Sequence, residues 1–293
     1  MTSPIAISGK AGRWSPKGEI HTHITTPSVI PDLIGNLFKL TLLSLFIILA
    51  GIFSPFVFAD AKSDYDYQYG QYRTSYAEFS LLKQDYLNTP SLDNQQKVMI
   101  SAKQTILSRD LAKASLDWYL LDLINHYRVD YEPIKPIIAA LNTSRQYFLN
   151  ESFKSQGIVT ETDLKKFTES YLETVPLHDA MMKFGILANK IAELVRIQID
   201  SQTALETIIP KLPSPMPQNL TDRVQELRDK TKFIDSKIDI FANNLPIADA
   251  VVESANDIFF TSRVELLAEI RLLQLDWINR LIDLDINYVQ PQI

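Results

Sequence analysis

No cysteine occurs in the 293 residues of this chain. That excludes disulfides, a thiol nucleophile, thiolate metal sites and a lipid-modified N-terminal cysteine. Glycine is nearly as scarce: eight in all, with only Gly70, Gly157 and Gly185 beyond residue 59. Loops that cradle phosphate need clustered glycines, so P-loop and dinucleotide-binding motifs are absent. All-β folds need glycine-bearing turns every ~8–12 residues, and these three glycines cannot supply them. Histidine is short as well. His21 and His23 sit in the N-terminal tail, which leaves His126 and His178. Neither is read as having a ligand partner of the expected type four residues away, and neither HExxH nor GxSxG occurs. No catalytic residue, cofactor or metal site is expected from spacing. Basic excess is also lacking. Four of the 29 Lys and Arg and two of the 35 Asp and Glu precede residue 60, which leaves the remainder at a net charge of −8. Phosphate binding is driven by basic patches, so the charge argues against nucleic acid as a partner.

What is present begins with Leu40 to Ala59, LTLLSLFIILAGIFSPFVFA, twenty residues without a charge. Its apolar core, Leu40 to Phe53, is 14 residues long, the length of a signal-peptide core and short of the ~20 residues a bilayer span needs. Ser54-Pro55 breaks it, and Val57-Phe58-Ala59 reads as a signal-peptidase site with cleavage between Ala59 and Asp60. The alternative keeps 40–59 as an anchor helix in contact with the membrane. Lys10, Arg13, Lys17 and Lys39 precede the run, so in both readings the C-terminal part is exported across the cytoplasmic membrane, secreted or associated with the envelope. Residues 1–39 are a tail whose Pro27 to Asn36 stretch resembles peptides translated from dispersed bacterial repeats. A start codon downstream, at Leu37, is expected.

Residues 60–293 read as an all-α domain. Prolines punctuate long periodic runs. Tyr65, Tyr69, Tyr72, Tyr76, Phe79, Lys83 and Tyr86 repeat at 4-3 spacing on one helix over roughly 65–88, read as a face that docks on neighbouring helices. A second helix covers roughly 92–128, capped by Ser91 or Asp93, with Leu116 to Ile124 apolar almost all round. A third follows Pro133 and Pro136 to about Ser155. A fourth starts at Thr160-Glu161-Thr162-Asp163 and reaches about 208, kinked or split by Pro176. Residues 210–218, PKLPSPMPQ, are a stiff proline-rich linker, dividing two subdomains or crossing within one bundle. Beyond it Leu220, Val224, Leu227, Thr231, Ile234, Ile238, Phe241 and Leu245 keep an unbroken 4-3 heptad. Leu220, Val224, Leu227, Ile234, Ile238 and Phe241 form a partner-helix face, for another helix of this chain or for a second copy. A last helix, roughly 247–288, carries Val251, Ala255, Ile258, Leu266, Leu273, Trp277, Leu281 and Leu284 inward, with a second apolar strip beside them. The expected fold is an elongated antiparallel bundle of five or six long helices with coiled-coil-like packing. The charges read mainly as solvated helix faces with i,i+4 pairs such as Asp276 with Arg280. Leu116-Asp117-Trp118 recurs as Leu275-Asp276-Trp277, read as a chance echo.

The stretch YDYQYGQYRTSYAEFSLLKQDYL, Tyr65 to Leu87, resembles the opening of exported proteins of unknown function from candidate-phyla bacteria with small genomes. The resemblance rests on Tyr67, Tyr69, Tyr72, Arg73, Tyr76, Phe79, Lys83 and Tyr86 and fades beyond about residue 130. It implies an envelope location and transfers no catalytic residue. The expected function is that of an exported, non-enzymatic bundle acting through protein–protein contact or self-association of helices. The alternative is an anchored ectodomain of a sensor or envelope machine that binds a small ligand between helices, which polar groups converging around Arg109, His126 or His178 would favour.

Overall fold

The computed structural model describes residues 56–245 and 257–289. The tail, the apolar core 40–53 and the beginning of the last helix at 247–256 lie outside them. Within the described residues the chain is all-α, with six long helices: α1 (Phe56–Asn88), α2 (Leu92–His126), α3 (Lys135–Gln156), α4 (Glu161–Ile208), α5 (Gln218–Asn243) and α6 (Asp257–Tyr288), plus two 3-10 turns at Glu132–Ile134 and Ile209–Lys211. Among the described residues no helix is long and apolar enough to cross a membrane.

Helix starts follow the local chemistry. Ser91 accepts a hydrogen bond from the Asn94 N–H and opens α2. Thr160 and Asp163 form a reciprocal capping box at the start of α4, satisfying N–H groups that have no carbonyl one turn earlier. Thr160→Ala should cost about 1 kcal/mol, read as a lower midpoint in urea unfolding. α2 ends where Arg128 turns to φ 50°, the left-handed conformation that closes many helices. α1 begins nine residues before the tyrosine stripe, at Phe56, and Ala61, about one turn before Tyr65, is buried. Pro176 leaves α4 as one helix through 208. The proline removes only the N–H that the Leu172 carbonyl would have met, and Leu172 is on the exposed side, where water substitutes.

α1 and α2 run antiparallel. Thr105 of α2 donates to the Ser75 carbonyl of α1 while, further along α2, Tyr119 stacks on Tyr65. The tyrosine stripe docks on α2, as its spacing suggests, with Tyr65, Tyr69, Tyr72, Phe79 and Tyr86 half-buried and Tyr76 left exposed. α2 packs on α3 and on α4. It runs parallel to α4, with Gln95 meeting Glu161 and Lys113 meeting Asp179.

At 48 residues, α4 is ~72 Å long and joins two packings. Its first half lies against α2 and α3; its second half lies against α5 and α6. Gly185 lets the first packing close: a Cβ there would lie 2.8 Å from Leu141 Cδ2 and 3.1 Å from Leu120 Cδ1. The proline-rich stretch is a crossing loop that buries Leu212 and packs Met216 against the core. One apolar core runs through both packings.

Candidate functional site

Leu220, Val224, Leu227, Ile234, Ile238 and Phe241 are all buried. Their face is covered by α4 and α6 of the same chain, so the partner of this heptad is internal. Aspartate at Leu227 or Ile234 would therefore report on folding rather than on association. Ala59 and Asp60 are the fourth and fifth residues of α1.

The densest chemistry lies elsewhere, between α2, α3 and α4. From α2, Arg109, Asp110, Lys113 and Asp117 occupy successive turns of one face, spaced so that they line up along the helix. Asp110 and Asp117 are fully buried. Arg109 Nε donates to Asp110 Oδ1 at 2.8 Å and its guanidinium lies 3.6 Å from the centre of the Tyr171 ring. Lys113 Nζ is 2.5 Å from Asp179 Oδ1 of α4 and 5.0 Å from the centre of the Phe148 ring. On the α3 side, Lys154 pairs with the buried Glu151. His178 of α4 stacks face to face on Tyr147 of α3 at 3.8 Å and meets Phe148 edge-on.

These pairings leave one carboxylate over. Neither oxygen of Asp117 has a hydrogen-bond partner, and neither has the Ser144 hydroxyl, although Ser144 is the group nearest to steadying that carboxylate. A protonated Asp117 can donate its O–H to Ser144 Oγ, and an ionised one can accept from the Ser144 O–H. Burial pushes Asp117 up to about 8, against the pull of Ser144 and Lys113. Burial also lowers Lys113 and His178. The His178 ring is thus held neutral, which suits its stack on Tyr147. The Tyr171 hydroxyl and His178 Nδ1 are buried without partners as well. The cluster ties α2, α3 and α4 together through buried polar and charged side chains. It presents no hydroxyl activated by a base and oriented by an acid.

The structure brings Arg109 and His178 into this cluster and leaves His126 outside it. His126 is exposed at the end of α2. Asp122 does lie one turn before it and draws its proton affinity upward against the larger effect of burial. Among the described residues no group of three His, Cys, Asp or Glu could hold a metal ion. Asp110, Lys113, Asp117, Ser144, Tyr171 and Asp179 escape sequence reasoning. Asp117 had one signal, its position inside the stretch Leu116 to Ile124 that is apolar on all sides. The echo of Leu116-Asp117-Trp118 in Leu275-Asp276-Trp277 is not structural: Asp117 is buried and Asp276 exposed, whereas Trp118 is half-buried and Trp277 buried.

A second feature is apolar. The turn between α1 and α2 and the turn between α3 and α4 share one end of the bundle, joined by Gln95 and Glu161. Leu81, Leu87, Leu92, Ile100, Phe153 and Val159 near these turns are between 59% and 81% exposed. Comparison of the chain with protein-family models, with curated proteins and with solved structures finds no match in any of the three.

Proposed function

We propose that this chain is an exported, non-catalytic helical bundle that works by contact with another protein at the cell envelope. The contact surface is the bundle end formed by the α1–α2 and α3–α4 turns. The observation that carries this reading is the set of large apolar side chains exposed there; exposed apolar groups gathered in one region mark interaction surfaces. Cleavage after Ala59 would leave a helix opening on an acidic residue, the sign that the N-terminal end of a helix dipole favours. The test is photo-crosslinking in native cells from a probe placed at Leu92, compared with one placed at exposed Thr221 on α5. A discrete adduct from Leu92 and none from Thr221 supports the reading; equal adducts, or none from Leu92, end it.

The second reading, an anchored ectodomain taking a small ligand between helices, is favoured by one observation: Arg109 and His178 converge on a cluster whose buried polar atoms lack partners. Fractionation of native cells with N-terminal sequencing separates the two. A soluble species beginning at Asp60 is expected under the first reading, and a membrane-bound species retaining Leu40 to Ala59 under the second.

A further inference from the structure

α6 is apolar on two faces. One face packs inward, through Leu267, Ile270, Trp277, Leu281 and Leu284. On the opposite face Ala268, Leu272, Leu275, Asn279, Ile282 and Ile286 follow a 4-3-4-3-4 spacing, the first four exposed and the last two half-buried. Leu272 is 65% exposed. This is a second heptad seam, with Leu272, Asn279 and Ile286 at alternate core positions and Leu275 and Ile282 between them. Nothing in the described chain covers it: α6 packs on α4 and α5, both on its inward side.

We infer that this seam is the interface for a second copy of the same chain, the two α6 helices lying side by side, parallel and in register.

Two features of the seam select that occupant. The first is Asn279, the one polar residue in an otherwise apolar row. In a parallel, in-register pair it meets Asn279 of the second copy, and an amide, being both donor and acceptor, satisfies its own duplicate. A single asparagine at such a position fixes register and strand number in two-stranded coiled coils. The second is the charge on the two flanks. One flank carries Glu269, Asp276 and Asp283; the other carries Arg271, Ile278 and Asp285. Parallel pairing sets each acidic flank against the mixed flank of the other copy, an arrangement that occurs twice by symmetry. Antiparallel pairing would set the acidic flank against itself. Asp276 meets Lys230 and Arg280 on its own copy and is half-exposed. The seam lies level with the second half of α4, because Gln274 bonds to the Leu194 carbonyl. It is thus well away from the apolar bundle end, and the inference is independent of the function proposed above.

The test uses the chain as recovered from cells, purified and sized by light scattering. One copy is 33.4 kDa if all 293 residues are retained and lighter after cleavage at Ala59, and the expected mass is twice that of one copy of the species recovered. Leu272→Asp places a charge on the seam at an exposed position, so helicity by circular dichroism should be kept while the mass falls twofold. Orientation is read separately. The chain has no cysteine, so Leu275→Cys provides a single thiol that should cross-link two copies under mild oxidation, whereas Thr221→Cys on α5 should not. A single-copy mass for the unaltered chain would overturn the inference. So would a double mass that survives Leu272→Asp. A double mass with no cross-link from Leu275→Cys would rule out the parallel in-register pairing and point to an antiparallel contact or another surface.

Discussion

Asp117→Asn should flatten the pH dependence of this protein's stability above the ordinary carboxylate range. The Asp117 carboxyl is pushed up to about 8 in the folded chain, with burial the largest cause, whereas an unfolded aspartate titrates near ~3.9. The folded state therefore binds more protons than the unfolded state between those values. Stability from this group is fully present below the unfolded value and is lost as pH rises toward about 8, where it levels off. The shift corresponds to something on the order of 5 kcal/mol across that window. The groups facing Asp117 are Lys113 on its own helix, Ser144 and Arg145 on α3, and Asp179 on α4. Asparagine keeps the shape and removes the titration. Urea unfolding at about pH 5, 7 and 9 should show the variant gaining on the wild type by several kcal/mol as pH rises. Two parallel stability profiles would mean that Asp117 is already ionised in the fold, solvated by groups other than those facing it.

Trp277→Ala should be among the most destabilising single changes in the second packing. The side chain is 2% exposed where α4, α5 and α6 meet, and truncating a buried tryptophan typically costs about 3–5 kcal/mol through lost burial and the cavity left behind. Its Nε1 also donates to the Leu227 carbonyl at 2.8 Å. That carbonyl keeps a second partner, the Thr231 hydroxyl at 3.0 Å, so loss of the indole does not strand it. Trp277→Phe, which retains most of the volume, should then cost only about 1–2 kcal/mol. Chemical unfolding followed by far-ultraviolet circular dichroism measures both. If phenylalanine proved as costly as alanine, the hydrogen bond and not the filled volume would be what Trp277 contributes.

Much of the fold was legible because helix formation is written locally. The heptad from Leu220 to Leu245 reads directly as the buried face of α5, broken only at half-buried Thr231. Ser91 and Thr160 mark helix starts through a single side-chain oxygen placed three residues before a free N–H. Pro176 was misleading for the opposite reason. A proline signals the loss of one hydrogen bond, and whether that ends a helix depends on the packing of the residues around it, which here hold α4 together. The charge cluster was the least legible part. Asp110 and Asp117 look, in one dimension, like the many solvated carboxylates around them; only α3 and α4, arriving from 30 or more residues away, take water from them.

The helical class, the starts at Ser91 and Thr160, the inward stripe of α5 and the lack of glycine-rich phosphate loops and cysteine motifs in the sequence follow from residue type and from spacing at three and four positions, which one helix expresses without reference to any other. The pairing of α2 with both α3 and α4, the use of α4 by two packings, the desolvation of Asp117 and the uncovered second seam of α6 depend on contacts between residues far apart in the chain. Those contacts are chosen by the fit of whole faces against one another, and no window of sequence short enough to read as a pattern contains both partners.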